Sequence, residues 1–478
     1  MKKLLSVLIA MVMILGVLPV TASAASGKVD VYGCSISAGA KQVCFVIGDK
    51  DEFTPTFLAQ YHATDFTKYY YIPKGTVVDC KIIAEKLPEL QNLAIVSGEV
   101  KNLSALGNLK NLVWLGLYQN KGADNLSFLK KLPQLKKFRY MNTFLEDDDC
   151  KSIKPVSYLK NLTELYLSVP SAACYDLASL KGLTKLKKLE IEYTVYENIS
   201  VLENMKNLQE LDITTGKGVD LSVLGKLKNL KSLKLDVRDD ADLSFLGKLT
   251  KLESLRVMGD GTVNGLDSIK GLKKLKSLDV NGFYSDRQDL SFIGNMTGLE
   301  SLCVSYSNTS FTKNISKLKG LKELTLMDIN NDMEYDMSFI RKLTGLEELF
   351  IMGHLYMDIT GVSKLKNLKT LSIVLCDYED LSELKKCSSL ETLTVYNCNT
   401  SFDVNWIVGT NIKSVYFSGG TSPVKNLDKL ASLKKLENLT LDFTGISEDT
   451  IKKIKKALPK CRIEVYEYIY GEYEKKVY

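Results

Sequence analysis

From about residue 80 to residue 447, leucines and their substitutes fall three apart and then, once per unit, two apart. One clear unit carries Leu221, Leu224, Leu227, Leu230, Leu233 and Leu235. A step of three suits a tight helical or 3-10 turn, whereas a step of two is the alternation of a strand. Each unit is therefore expected to make one short strand and one compact return segment, with all its leucines on one side. Aligning Leu221, Leu243, Leu266, Leu290, Ile315, Met337, Ile359, Leu381, Val404 and Leu427 gives steps of 22 to 25 residues. The pattern continues backwards through Ile199, Leu177, Ile153, Leu126 and Leu103 to a partial unit over 87–95, about sixteen units in all. A single unit cannot bury its leucines alone, so units stack and share one core. Length alone suggests about three domains. The repeat replaces that division with one α/β solenoid.

Asp-Leu-Ser opens many units, at Asp220, Asp242, Asp289 and Asp380, with Asp336-Met337-Ser338 and Asp358-Ile359-Thr360 as variants. The hydroxyl is expected to cap the first turn of the return segment by accepting a backbone N–H. Residues 25–79 lack the repeat and are rich in Tyr, Thr, Gly and Asp, as befits an N-terminal cap. Within it Cys34 and Cys44 bracket a strand–turn–strand and are either a disulfide or two buried thiols. Residues 448–478 are expected to form a C-terminal cap and tail. There Ser447 caps a helix over 448–458, Pro459 stops it, and an alternating strand over 462–466 closes the sheet. The long unit between Leu126 and Ile153 holds four consecutive acids, Glu146 to Asp149. They lack the spaced ligands and glycine turn of a calcium loop and are taken as a solvated loop.

Residues 1–24 combine Lys2 and Lys3, an apolar run from Leu4 to Leu18 and an Ala22-Ser23-Ala24 step. That is the pattern of an export signal cut after Ala24. The run is shorter than the roughly 20 residues that span a bilayer, and no other stretch is apolar enough. A secreted chain with no transmembrane segment after cleavage is expected. Without the two signal lysines the formal charge falls from +6 to 6 − 2 = +4, with 63 basic against 57 acidic residues overall. Such balance argues against nucleic acid, which needs a concentrated basic face. Ten cysteines without paired metal spacing, and only His62 and His354, give no basis for a metal site or cofactor. Neither a nucleophile elbow, a phosphate loop nor a zinc-protease motif is present, so binding is expected and not catalysis.

The repeat resembles the 22-residue leucine-rich repeats of the internalin-like class of bacterial surface proteins, over about residues 80 to 447. The resemblance implies a right-handed horseshoe with a parallel sheet on its concave face, where members of the class bind host or partner proteins. Two departures accompany it. The asparagine that follows the strand in the class is present as Asn120 but is Thr194, Gly216, Arg238, Asp260, His354, Cys376 and Cys398 in other units. The wall-anchoring tail common in the class has no counterpart in residues 472–478.

Strand alternation alone selects the concave side chains, and two zones stand out. An apolar one gathers Met327, Phe350, Met352, Val374, Tyr396 and Tyr416, with His354 and Tyr356 just beyond their strand. Met and aromatic residues clustered on an exposed face are typical interaction anchors. An acidic one gathers Glu190, Glu192, Glu210 and Asp212, like charges whose proximity costs stability unless a cation or basic partner offsets it. Lysines such as Lys226, Lys248, Lys273 and Lys317 lie between return-segment leucines and are expected to form a solvated outer face. Cys376 and Cys398, at one position in successive units, are within disulfide reach or simply fill the asparagine site. The expected partner is a protein; the alternative is an envelope glycan or anionic wall polymer.

Overall fold

The structure, a computed structural model, describes residues 27–53, 58, 66–142, 152–169, 177–196, 198–282, 290–305, 312–327, 335–353, 356–378, 380–419, 422–469 and 472–478. The export-signal segment 1–24 and the acidic run 146–149 lie outside the described residues.

Every two-residue step becomes a strand. Ser232–Val237 and Ser254–Gly259 pair in parallel, with Leu233 beside Leu255 and Leu235 beside Val257. Parallel pairing one repeat apart carries the sheet from Trp114–Tyr118 to Asn438–Asp442, with one register shift, between Glu190 and Val195. The three-residue steps are equally literal. Leu227 N–H donates to Leu224 O and Leu230 N–H to Leu227 O, each at 3.0 Å. The leucine period is thus the hydrogen-bond period of a 3-10 turn, and the return segment Leu221–Lys226 is a 3-10 helix. Leu224, Leu227, Leu230 and Leu233 are completely buried. Each such side chain contributes about 1.5–3 kcal/mol of burial, and only because the units on either side close over it.

The cap at the start of each return segment is the reverse of the one expected. Asp220 is the residue that accepts, from the Ser222 N–H at 2.9 Å. Asp242 accepts from Ser244 N–H with one carboxylate oxygen and from the Ser244 hydroxyl with the other. Asp380 and Ser382 repeat the arrangement. The serine is a donor because the carboxylate two residues earlier is the stronger acceptor for both groups. Asn125, Asn198 and Asp403 take the same place in other units.

Residues expected to be only a cap also extend the main sheet. Gln42–Ile47 lies between Tyr69–Ile72 and Asn92–Val96, parallel to both. The hairpin is one step earlier than expected, Lys28–Val31 against Cys34–Ser37, turning at Tyr32 and Gly33 in left-handed conformations. Cys34 and Cys44 are free thiols. Cys34 packs beside the main core, whereas Cys44 points to the opposite face of its strand, so the two are not bridged.

That opposite face holds a second apolar cluster. Cys44, Val46, Ala94, Val96, Trp114 and Tyr118 on the first strands are covered by Leu58 and Phe66 of the chain itself. Phe66 meets Trp114 edge-on, with ring centroids 5.0 Å apart. Gly116 lies between the Trp114 and Tyr118 rings, and a Cβ there would stand 2.6 Å from Trp114 Cη2 and 2.5 Å from Tyr118 Cε2.

At the other end Ser447 caps the helix Glu448–Ala457 through the Thr450 N–H. Arg462–Ile469 then joins the sheet in parallel. It does not close the sheet as expected. The residues taken as a tail turn back as Glu472–Val477, pair antiparallel with it and form the outer strand. Lys475 and Lys476 on that strand ion-pair with Glu464 and Glu467, a charged edge that discourages further pairing.

Two outcomes follow from this architecture. Asp242→Ala removes the acceptor of the turn and should cost about 1 kcal/mol, with Ser244→Ala costing clearly less. The Ser244 N–H hydrogen bond holds the Asp242 carboxyl below the usual range. Its contribution is therefore present above the unfolded-state pKa and is lost as pH falls through the lowered folded value. Urea unfolding of both variants at neutral and acidic pH checks this, and equal costs would return the capping role to serine. Gly116→Ala should destabilise the N-terminal strands by about 1–3 kcal/mol through overpacking. Trp114 fluorescence during unfolding is the readout, and an unshifted midpoint would mean that the rings yield freely.

Candidate binding surface

The concave face is built by the middle and final outward positions of successive strands. The pairings place the middle positions in one continuous row, whereas a register shift after Glu190 pairs Thr214 with Val195 and interrupts the final one at Glu192. One row runs Gly116, Arg139, Tyr166, Glu190, Asp212, Lys234, Arg256, Asp279, Cys303, Thr325, Phe350, Ser372, Thr394, Tyr416 and Thr440, each residue directly beside the next. The face divides into three parts along this row.

The first part is occupied by the chain itself. Leu58, Phe66, Trp114 and Tyr118 fill the space over the earliest strands. Nothing periodic marks Leu58 or Phe66. The large residues Trp114 and Tyr118 flanking a glycine are the one sequence signal that a cover is needed here.

The second part is polar and internally compensated. Lys188 Nζ lies 3.0 Å from both Glu190 and Glu210. Lys234 lies 3.1 Å from Asp212, and Arg256 lies 3.2 Å from Asp279. Glu192 accepts the Tyr166 hydroxyl at 2.8 Å. The buried Arg139 guanidinium lies over the Tyr166 ring, 5.8 Å from its centroid, and 3.9 Å from Glu190. The four acids read from the sequence are therefore together, and the offsetting cations come from this chain. Burial lifts the carboxyls of Glu192 and Asp212 above the usual range. Burial also opposes the charge of Lys188, but Glu190 and Glu210 more than offset it and hold its pKa up. Lys188 escapes strand-face inspection because it precedes the first leucine of its strand.

The third part is apolar. Met327, Met352, Val374 and Tyr396 stand side by side on four consecutive strands. Phe350 and Tyr416 lie in the adjacent row, and the Tyr396 and Tyr416 rings stack at 5.7 Å with an 11° tilt. Val374 is buried, and the other five are half-buried. Tyr416 donates to Asp442 at 3.1 Å, which fixes its ring. His354 lies outside the described residues, and Tyr356 belongs by its backbone to a separate outer sheet with Tyr335–Asp336 and Asp377–Tyr378.

Just beyond the strands, Asn120 donates to Ser97 O and Asn142 to Asn120 O, both at 2.8 Å. Cys376 and Cys398 are buried free thiols at the post-strand position, reaching the preceding repeat at Ile351 O (3.9 Å) and Ile373 O (3.8 Å) and their own unit at Val374 O and Tyr396 O. Burial pushes the Cys398 thiol up to about 11. A short donor is what this position requires, and cysteine meets it with a weaker bond.

Ahead of the strands, the residues Lys276, Glu300, Lys322, Glu347, Lys369, Glu391, Lys413 and Glu437 form a second row that the leucine pattern does not reveal. Each backbone N–H donates to the carbonyl of the one before it. Glu300 is 2.7 Å from both Lys276 and Lys322, and Lys413 is 2.9 Å from Glu391. Hydrogen bonds from Lys276 and Lys322 lower the Glu300 carboxyl to about 2.

No family model matches the chain, and no curated protein matches it. Among solved structures, a leucine-rich-repeat protein of Leptospira interrogans is similar over 79% of this chain and 90% of its own, with 21% identity and a TM-score of 0.54. An internalin of Listeria monocytogenes covers 65% of this chain and 82% of its own, with 19% identity and a TM-score of 0.44. The ectodomain of a plant receptor kinase of Arabidopsis thaliana, solved with Casparian strip integrity factor 2, covers 88% and 57%, with 16% identity and a TM-score of 0.41. With its one-repeat parallel register, 3-10 returns and parallel sheet, the chain has the leucine-rich-repeat fold.

Proposed function

We propose that the protein is exported and binds another protein through the C-terminal half of its concave face, with no catalytic step. The observation that carries this is the contrast among the three parts of that face. The first is filled by the chain's own apolar side chains, and the second pairs its own charges. The third presents Met327, Phe350, Met352, Tyr396 and Tyr416 half-buried, with rigid stacked rings and flexible thioethers. Aromatic residues bring large contact area at small entropic cost, and methionine adapts to a partner's shape. The stacked solenoid holds these anchors on rigid strands, which lowers the ordering cost of association. The basic, apolar and small-residue pattern of residues 1–24 supports export. Among the described residues no helix is long and apolar enough to cross a membrane. Solenoids of stacked repeats commonly use their extended concave surface for binding.

The test is a pull-down with the purified protein against host-cell surface proteins and against the producer's own wall fraction, at low and high salt. A variant carrying Phe350→Ala, Met352→Ala and Tyr396→Ala is run beside it. A protein retained at high salt and lost by the variant is the expected result. Retention on wall polymer alone, weakened by salt and indifferent to the variant, would move the function to the lysines of the outer face.

A further inference from the structure

The apolar part of the concave face has a shape and a charged border that specify its occupant more closely. We infer that the partner segment seated there is a basic amphipathic α-helix lying across the strands; this rests on the concave-face proposal above. Met327, Met352, Val374 and Tyr396 form one row perpendicular to the strand direction, one residue per strand. Strands lie about 4.8 Å apart. A helix presents apolar residues on one face about once per 5.4 Å turn, so a helix along the row sets roughly one anchor against each strand. An extended segment repeats its same-face side chains about every 6.6 Å and falls out of step within the row. Strand addition also requires a sheet edge, and this row is on a face.

The border supplies the sign of the charge. Glu323 and Glu348 sit directly beside each other at the start of the same strands, both exposed. Neither forms an ion pair among the described residues, whereas the neighbouring Glu300 and Glu347 do. Further along the border the in-register residues are Thr370, Thr392 and Ser414, which are neutral. The helix therefore places lysine or arginine beside its apolar stripe at the end that meets Glu323 and Glu348. There it relieves the like-charge contact between the two glutamates.

The experiment titrates the protein with labelled peptides of about 18 residues, five helical turns. One is an amphipathic Leu/Lys helix, one its Leu/Glu counterpart, and one a Leu/Lys scramble with no apolar stripe. The Leu/Lys helix should bind with a gain in helicity and at least about tenfold more tightly than the other two, about 1.4 kcal/mol. Glu323→Lys with Glu348→Lys should weaken it several-fold and strengthen the Leu/Glu peptide, leaving the melting curve of the protein unchanged. Phe350→Ala with Met352→Ala should abolish both. Equal binding of the helix and the scramble, or binding indifferent to the glutamate reversal, would overturn the inference. So would a failure of every peptide. If that failure came with a partner protein still captured and lost by the triple alanine variant, concave-face binding would stand and only the helical partner would fall.

Discussion

A unit of about 22 residues buries its leucines only against the units on either side, and every other feature of this molecule answers to that dependence. Leu224, Leu227 and Leu230 are fully buried because the neighbouring returns cover them. The hydrogen bonds follow the same rule, each strand satisfying its backbone against the strands one repeat away. A stack of this kind has two open ends. The two are solved differently: an N-terminal hairpin and two added strands at one, a helix and an antiparallel return strand at the other.

Stacking one identical unit on another also risks stacking like charges, and the row of residues ahead of the strands avoids this. From Lys276 to Glu437 the sign alternates at each repeat, so that every charge has opposite neighbours on both sides. Exposed pairs of this kind are individually weak and screened by salt. Their consequence lies in specificity, because a repeat docked beside the wrong neighbour would meet its own sign. In the next row inward, otherwise neutral, Glu323 and Glu348 set two like charges side by side at the place where the face turns apolar.

The strands, the returns and the membership of the concave rows were legible because each rests on a period, two for the strand and three for the 3-10 turn. What lacked a period was not. Leu58 and Phe66 cover the first strands from a segment with no regular pattern, and only contact shows where they pack. Asp242 and Ser244 are both cap-forming residue types, so composition left their order of donor and acceptor open until the geometry resolved it. Glu472–Val477 reads as a charged tail because an edge strand carries charge to avoid further pairing. The acidic zone was placed correctly on the sheet, but its compensation by Lys188 was invisible from the strand face alone.

These same interactions apportion the concave face. A surface that supplies its own apolar cover or its own counter-ions must lose them before a partner can gain anything, and burying charged pairs costs more than their attraction returns unless the geometry is very good. The first strands would have to expel Phe66 from Trp114, and the middle strands would have to strip water from Lys188, Glu190, Asp212 and Lys234. Among the described residues, the apolar positions on the strands from Glu323–Met327 to Ser414–Ser418 ask for neither. Apart from the buried Val374, their apolar side chains are half-buried, with Tyr416 held by its hydrogen bond to Asp442. The low cost of clearing that part of the face, more than its hydrophobicity taken alone, makes it the place where association yields a net gain.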